Sequence, residues 1–278
     1  MSAKKILEFN PSGPSAVFKT LQELLGKKPG AFELLHHKSY SEEALQDAHL
    51  ALFSFAEAQT FFPQLKAFPP LVKSLQCFDA FIPEEGRWYP RLFLYEALRS
   101  VLVEKARDLD NRFPAFVVGE GAELRIVASV CALLGFTEVY LIGQSAEVLA
   151  EDVGILSRGY FGVEFKVLPV EDLTIQAVSG SLVINTVNMN QHEALLNDLS
   201  YFNFLKNTGY VLDCCLEDLQ SPLLEEADRA GLRVLQPIQI LQALVEMCLE
   251  KIGMSDLISS EDLHGLIVKI SKEISSSV

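Results

Sequence analysis

The stretch Val117-Val-Gly-Glu-Gly-Ala-Glu-Leu-Arg125 decides the fold. An apolar run typical of a strand, Phe116-Val-Val118, leads into it, and the helical pattern Ile126–Leu134 follows. In a dinucleotide-binding fold this strand–turn–helix position holds the phosphate loop. Gly119 would allow the tight turn, and Gly121 would let backbone N–H groups approach a pyrophosphate at the helix N-terminus.

This glycine motif departs from the full fingerprint. Its third small residue is replaced by Leu124, and Glu120 and Glu123 add two negative charges within one turn of the expected diphosphate. Because like charges repel, these residues taken alone favour a tight strand-to-helix turn without a ligand over a phosphate loop.

Apolar runs and helical segments alternate outward from this stretch. Continuous apolar strands separated by helices predict a parallel sheet covered on both faces, which is a doubly wound α/β domain. The runs are Phe116-Val-Val118, Val139–Ile142, Val163–Val167, Leu182–Ile184, Tyr210–Asp213 and Leu232–Leu235.

The first hundred residues mix strand and helix patterns. Strands are predicted at 6–9, 31–35, 50–55 and 88–93, with helices at 17–25, at 41–48 and, interrupted by Pro69-Pro70, at 61–75. Two helices, at 237–252 and about 260–275, end the chain. The last one has an apolar stripe, and we expect it to pack on its own N-terminal domain rather than on a partner subunit.

Charge and composition exclude several classes of partner. The chain has 278 residues with a formal net charge of −14 and a pI near 4.8, which argues against nucleic acid and anionic membrane surfaces. No apolar run approaches the roughly 20 residues that span a bilayer. The five cysteines form no C-x-x-C pair, so we predict reduced thiols in a cytoplasmic protein. His36 and His37 point to opposite faces of a strand, so we predict no metal site there.

Three stretches together resemble the shikimate dehydrogenase family. Phe116–Ala128, followed by Leu134–Ile142, is similar to the family's G-A-G-G-A-x-R-A-V loop, helix, L-G-x-x-E-V turn and second strand. Leu182–Val187 resembles L-V-I-N-A-T-P. Gly209–Asp213, with Ser221–Leu224 and the segment 230–234 after it, resembles G-x-x-x-D, T-P-L-L and A-x-G-x-x-V. The resemblance extends to about residue 253.

This resemblance implies a fold and an activity. It implies an α/β substrate-binding domain at 1–97, a Rossmann-type NAD(P)-binding-like domain at 98–236, and C-terminal helices at 237–278 that return to the first domain. The family reduces 3-dehydroshikimate with NADPH, and its members include quinate-using enzymes. The default ligand site lies between the two domains.

The resemblance also assigns substrate-binding positions. Ser12 and Ser15 match the two serines that bind the substrate carboxylate, and Asp79 stands at the substrate-binding asparagine. The late-helix glutamine falls on Leu244, and Gln242 is its near substitute.

The catalytic positions implied by the resemblance have lost their chemistry. The family's lysine falls on Ala58 and its aspartate on Leu94, with Lys66 as the nearest lysine downstream. Ketone reduction needs a group that donates a proton to the forming alkoxide, and neither alanine nor leucine does so.

The implied cofactor positions are also altered. They are Gly119, Gly121, Ala122, Gln144, Ser145 and Asn185. Gln144 stands where the family's arginine binds the NADP 2′-phosphate, and an amide does not neutralise that charge. We therefore expect no cofactor. The sequence around Asn185 is compatible either with a ligand contact or with a turn. For Asp213 the sequence favours a structural role.

The function predicted from these substitutions is a shikimate dehydrogenase-like protein that has lost NADP-dependent reduction. It would act as a non-catalytic ligand-sensing or interaction module, with a small molecule, a second copy or a protein as partner. The alternative is an active shikimate or quinate dehydrogenase with a rebuilt active site.

Overall fold

The apolar runs quoted above form one parallel sheet, flanked by the predicted helices. The structure, a computed structural model, describes residues 3–28, 30–175, 178–216 and 219–275. The chain divides into two units: unit 1 comprises Met1–Ala97 with Leu241–Val278, and unit 2 comprises Leu98–Ile240. The predicted α/β class, with the C-terminal helices belonging to the first unit, is confirmed.

Unit 2 contains six parallel strands in the order β11-β10-β9-β6-β7-β8. The strands are β6 (Ala115–Val118), β7 (Glu138–Ile142), β8 (Glu164–Val167), β9 (Gly180–Asn185), β10 (Leu205–Asp213) and β11 (Arg233–Leu235). Every residue of β6 and β9 is buried, which explains why these strands are apolar throughout. The helices of this unit are α5 (Gly121–Leu133), α6 (Ala146–Gly159), α7 (Glu193–Leu199) and α8 (Pro222–Arg229). Helix α4 (Phe93–Lys105) begins in unit 1 and ends in unit 2, and α9 (Pro237–Lys251) begins in unit 2 and continues into unit 1.

The strand order of unit 2 places a candidate site at the ends of β6 and β9. The chain runs from β6 outward to β8, returns to β9 beside β6, and then continues in the opposite direction. This is the Rossmann order, in which ligands bind outside the carboxyl ends of the strands where the direction reverses. The turn after β6 is Gly119–Gly121, and β9 ends at Asn185.

Unit 1 contains a mixed sheet in the order β2-β1-β3-β4-β5. Strand β1 runs parallel to β2 and β3, whereas β4 runs antiparallel to β3 and β5. The strands are β1 (Lys4–Phe9), β2 (Phe32–His37), β3 (Ala48–Phe53), β4 (Ala80–Glu84) and β5 (Arg87–Arg91). The helices are α1 (Ala16–Leu25), α2 (Phe55–Phe61), α3 (Pro70–Leu75) and α10 (Ser260–Ser275).

In unit 1 one predicted helix was wrong and one strand was missed. The helix expected at 41–48 is a series of tight turns over residues 42–47, which ends at Asp47 with a left-handed φ of 60°. The segment is too short to form a stable helix between two strands. Strand β4 was not predicted, because its short apolar run ends at Pro83 and shows no alternation.

Three residues of the apolar stripe of the final helix, α10, are buried within unit 1, which agrees with the predicted packing on the N-terminal domain. Leu263 and Ile267 are fully buried and Ile270 is nearly so. The Asp262 N–H donates to Ser259 Oγ at 3.1 Å, so Ser259 caps the start of this helix. The last three residues of the predicted 237–278 segment lie outside the described residues.

Gly265 is expected to weaken α10. A Cβ added there meets no atom within 4 Å, so Gly265→Ala should raise the free energy of unfolding by about 1 kcal/mol. The matched control is Gly231→Ala, where the added Cβ also meets no atom within 4 Å. Gly231 has a φ of +76°, which is unfavourable for alanine, so this substitution should lower that free energy by roughly 1 kcal/mol. Urea unfolding of the full chain measures both, and equal effects would contradict the prediction.

Within the described residues, no helix combines the length and apolar character needed to cross a membrane.

Candidate functional site

The turn after β6 is held tightly against the end of β9. Gly119 has a φ of +138°, and a Cβ there would lie 1.9 Å from Thr186 Oγ1. That hydroxyl donates to the Val118 carbonyl at 2.9 Å, as does the Thr186 N–H. Only glycine fits position 119, as the glycine pattern of the sequence indicates.

The first N–H of α5 is bound by a carboxylate of the chain. Gly121 N–H donates to Asp152 Oδ2 at 2.8 Å, and Arg125 Nη1 donates to Asp152 Oδ1 at 2.6 Å. Asp152 is 1% exposed and Arg125 is 7% exposed. Burial raises the pKa of Asp152, although its bonds to Gly121 and Arg125 oppose that shift. This buried group therefore joins α5 to α6.

A second carboxylate connects the turn after β6 with the turn after β7. Glu120 Oε1 accepts the Ser145 N–H at 2.5 Å, and the Ser145 hydroxyl caps α6 by accepting the Val148 N–H at 3.3 Å. A Cβ at Gly143 would lie 2.8 Å from Glu120 Cγ. The Glu120 side chain thus lies directly over Gly143, where a larger residue would displace it.

The remaining residues predicted around this turn lie on its rim. Gln144 is exposed, and its Nε2 lies 3.1 Å from His192 Nδ1. Ala122 is half-buried in the first turn of α5, and Glu123 is exposed there. Gln144 and Ala122 therefore bring no positive charge to this rim.

Asn185 connects the ends of β9 and β10. Its Nδ2 donates to the Val187 carbonyl at 2.6 Å and to Asp213 Oδ1 at 3.0 Å, while its Oδ1 accepts the Val187 N–H at 3.0 Å. Asp213 also accepts the Cys215 N–H at 2.9 Å and the Ser221 hydroxyl at 2.5 Å. Both amide donors of Asn185 are therefore used inside unit 2.

These residues do not fit a nicotinamide dinucleotide. A pyrophosphate at this position needs free N–H groups at the start of α5 and nearby positive charge. Asp152 accepts the Gly121 N–H, Glu120 covers Gly143, and Gln144 supplies no charge.

In unit 1, a buried glutamate lies against a predicted substrate residue. Glu8 is 2% exposed, and the Ser15 N–H donates to its two carboxylate oxygens at 3.0 and 3.3 Å. The Ser15 hydroxyl caps α1 by accepting the Phe18 N–H at 3.2 Å. Burial raises the pKa of Glu8, although Ser15 and the charges of His36 and Lys19 oppose it.

Ser12, the other predicted serine, lies apart from this contact. It is exposed, and its N–H donates to Asn10 Oδ1 at 3.1 Å within the turn that follows β1.

Asp79 caps the start of α4. Its carboxylate oxygens accept the N–H groups of Phe93 and Leu94, both at 2.7 Å. Burial and, to a smaller extent, the charge of Glu96 raise the pKa of Asp79, whereas the two N–H bonds lower it, and the net result is a pKa of about 7. Such a pKa suits a group that exchanges protons near neutral pH.

The two positions matched to the family's catalytic pair are apolar and buried. Ala58 lies in α2 at 1% exposure, and Leu94 lies in α4 at 6% exposure. Lys66 is exposed in the segment before α3.

Gln242 lies in a polar cluster that attaches α10 to α9. Its Nε2 donates to Glu246 Oε1 at 3.0 Å and to the Ser260 carbonyl at 3.1 Å, and its Oε1 lies 3.2 Å from His264 Nδ1. Leu244, on the same helix, is buried. In this structure Gln242 therefore links two helices.

Cysteine chemistry is unfavourable at these sites. All five cysteines are buried thiols. Burial raises the pKa of Cys131 to about 12, and it raises that of Cys214 well above its ordinary value. Among the described residues, no three His, Cys, Asp or Glu side chains are arranged to hold a metal ion.

Sequence reasoning missed Glu8 and Asp152. Each is an acid at a position whose neighbours indicate burial: Glu8 shares a strand face with Ile6, and Asp152 follows Leu149 at helical spacing. An acidic residue on an apolar face was the signal that could have identified both.

Comparison with models of protein families and with curated proteins gives no match to the sequence. Solved structures, however, match nearly the whole chain. Quinate dehydrogenase from Corynebacterium glutamicum in complex with NAD is 12% identical with a TM-score of 0.78, covering 96% of this chain and 99% of that one. Shikimate 5-dehydrogenase from Listeria monocytogenes, in complex with shikimate and NAD, is 14% identical with a TM-score of 0.74 and 96% coverage of both chains.

Ligand-free 5-ketofructose reductase of a Gluconobacter strain is also similar. It is 12% identical with a TM-score of 0.72, covering 97% of this chain and 99% of that one. The chain therefore has the shikimate dehydrogenase fold, which confirms the resemblance at the level of the fold. Because fold alone does not fix activity, the function follows from the site residues.

Proposed function

We propose that this protein uses the shikimate dehydrogenase fold without its redox chemistry, as a non-catalytic ligand-sensing or interaction module. One observation carries the proposal: of the four residues assigned to substrate in unit 1, all but the exposed Ser12 are engaged within that unit. Ser15 is bound to Glu8, Asp79 caps α4, and Gln242 joins two helices. A substrate would have to break these bonds before it could be held.

The missing proton donor supports the same function. Hydride transfer to a ketone leaves an alkoxide that a positioned acid must protonate and stabilise. The positions matched to the family's pair hold Ala58 and Leu94, which have no exchangeable side-chain proton. The misfit of a dinucleotide in unit 2 removes the hydride carrier as well.

A specific observation favours the alternative, an active enzyme with a rebuilt site. Asp79, with a pKa raised to about 7, is suited to act as a general acid near neutral pH. Such an enzyme would lose its activity in the Asp79→Asn variant while keeping its fold, which distinguishes the two functions.

The decisive experiment tests turnover and binding on the intact chain. We expect no oxidation of shikimate or quinate with NAD or NADP, and no stabilisation by NADPH in a thermal-shift assay. A ligand present at about 100 times its Kd would add about 2.7 kcal/mol to the free energy of unfolding. A turnover number in the ordinary range of about 1–1000 per second would contradict the proposal.

The partner and location follow from the same proposal. A sensing or interaction module acts through a small molecule, a second copy of the chain or another protein, and light scattering combined with the ligand screen separates these. The five buried thiols suit the reducing cytoplasm.

A further inference from the structure

Two carboxylates bind backbone N–H groups at the starts of neighbouring helices in unit 2. Asp152 Oδ2 accepts from Gly121 at the start of α5 at 2.8 Å, and Glu120 Oε1 accepts from Ser145 just before α6 at 2.5 Å. Strands β6 and β7, which lead into these helices, are adjacent and parallel. The two acceptors therefore lie along one edge of the sheet.

In a sheet with this strand order, that edge is where an anionic ligand is normally held. Helix N-termini present N–H groups and a partial positive charge to a phosphate, and the end of the second strand meets the ribose. Here the chain's own carboxylates satisfy two of these donors. Glu120 also brings negative charge to the place where a phosphate would need the opposite sign, whereas the charge of Asp152 is balanced by Arg125.

We propose that Glu120 and Asp152 determine the ligand specificity of this site by closing it to phosphate-bearing nucleotides. Asp152 blocks the first N–H of α5 from within the unit, and its contact with Arg125 holds it there. Glu120 blocks the turn after β7, because its side chain occupies the space over Gly143. The proposal rests on the proposed function and deepens it by naming the residues that exclude the hydride carrier.

Glu120 is the residue whose removal tests the proposal. Its backbone is extended, with φ −149° and ψ 154°, so alanine fits without strain. Glu120→Ala frees the Ser145 N–H, opens the space over Gly143 and removes one negative charge. Glu120→Gln removes the charge but keeps the side chain in place, which separates the two effects.

Binding is measured by titration calorimetry on the full chain, with NADPH and, separately, inorganic pyrophosphate as probes. We expect no binding to the natural chain at millimolar probe. Glu120→Ala should gain affinity by about tenfold or more, which corresponds to about 1.4 kcal/mol, and Glu120→Gln should gain less. The matched control is Glu147→Ala, which removes one exposed charge from the first turn of α6 and should gain nothing.

Three results would overturn the proposal: low-micromolar NADPH binding by the natural chain, no gain in a folded Glu120→Ala protein, or an equal gain in the control. A folded Glu120→Ala protein that binds NADPH but turns over nothing supports both the proposal and the proposed function. Turnover by the natural chain defeats the proposed function, whereas failure of Glu120→Ala to bind defeats only this proposal.

Discussion

Arg125→Met should lower the free energy of unfolding by about 3–5 kcal/mol at pH 7, because it leaves one member of a buried ion pair behind. The Asp152 side chain is 1% exposed, and its contact with Arg125 is 2.6 Å long. After the substitution its charge would remain buried with the Gly121 N–H as its hydrogen-bond donor. Urea unfolding of the full chain measures the loss.

The pH dependence of this loss of stability, together with a double variant, tests whether the unpaired charge of Asp152 causes it. Burial already raises the pKa of Asp152 above its unfolded value, and loss of the arginine raises it further. Above the pKa of the folded state the variant buries an unpaired Asp152 charge, whereas at low pH Asp152 is protonated and this cost is absent. The decrease in unfolding free energy caused by Arg125→Met should therefore shrink as the pH falls. Arg125→Met with Asp152→Asn removes the charge and keeps an acceptor for Gly121, and it should recover most of the stability. A double variant as unstable as the single one would contradict this account.

The fold of unit 2 could be predicted because its signals are local. Strands such as Leu182–Ile184 are apolar at every position, and each is followed by a helical segment. Burial on both faces requires that pattern, and connections of this kind permit few arrangements other than a parallel sheet. In unit 1 the mixed sheet includes β4, whose position beside β3 depends on pairing between distant segments.

The glycines of the site could also be predicted, but their partners could not. Gly119 and Gly121 are fixed by the strand–turn–helix geometry around them. That Asp152, 31 residues away, accepts the Gly121 N–H depends on how α5 and α6 pack. The Glu120–Ser145 contact likewise joins two turns separated by 25 residues. The sequence therefore indicated repulsion of a phosphate by Glu120, but not that its carboxylate binds a helix start.

Asp79→Asn should remove a large part of the pH dependence of stability. Burial raises the pKa of Asp79 from 3.8 to about 7. Between these values the unfolded chain has released a proton that the folded chain keeps, so the free energy of unfolding falls as the pH rises. The slope approaches about 1.4 kcal/mol per pH unit and ends near the folded pKa. Asparagine has no such proton to lose.

The difference between the Asp79→Asn variant and the natural chain should therefore grow from pH 4 to pH 8, with the variant gaining in relative stability. Subtraction is needed because burial also raises the pKa of Glu8, which adds a slope of the same sign to both proteins. Glu96→Gln is the matched control: it removes an exposed charge from the same end of α4 and should leave most of the slope in place. Urea unfolding at four pH values measures all three chains. If the unfolding free energies of the natural chain and of Asp79→Asn change with pH in parallel, then Asp79 is ionised over the whole pH range. Its two N–H bonds would then outweigh the effect of burial on its pKa.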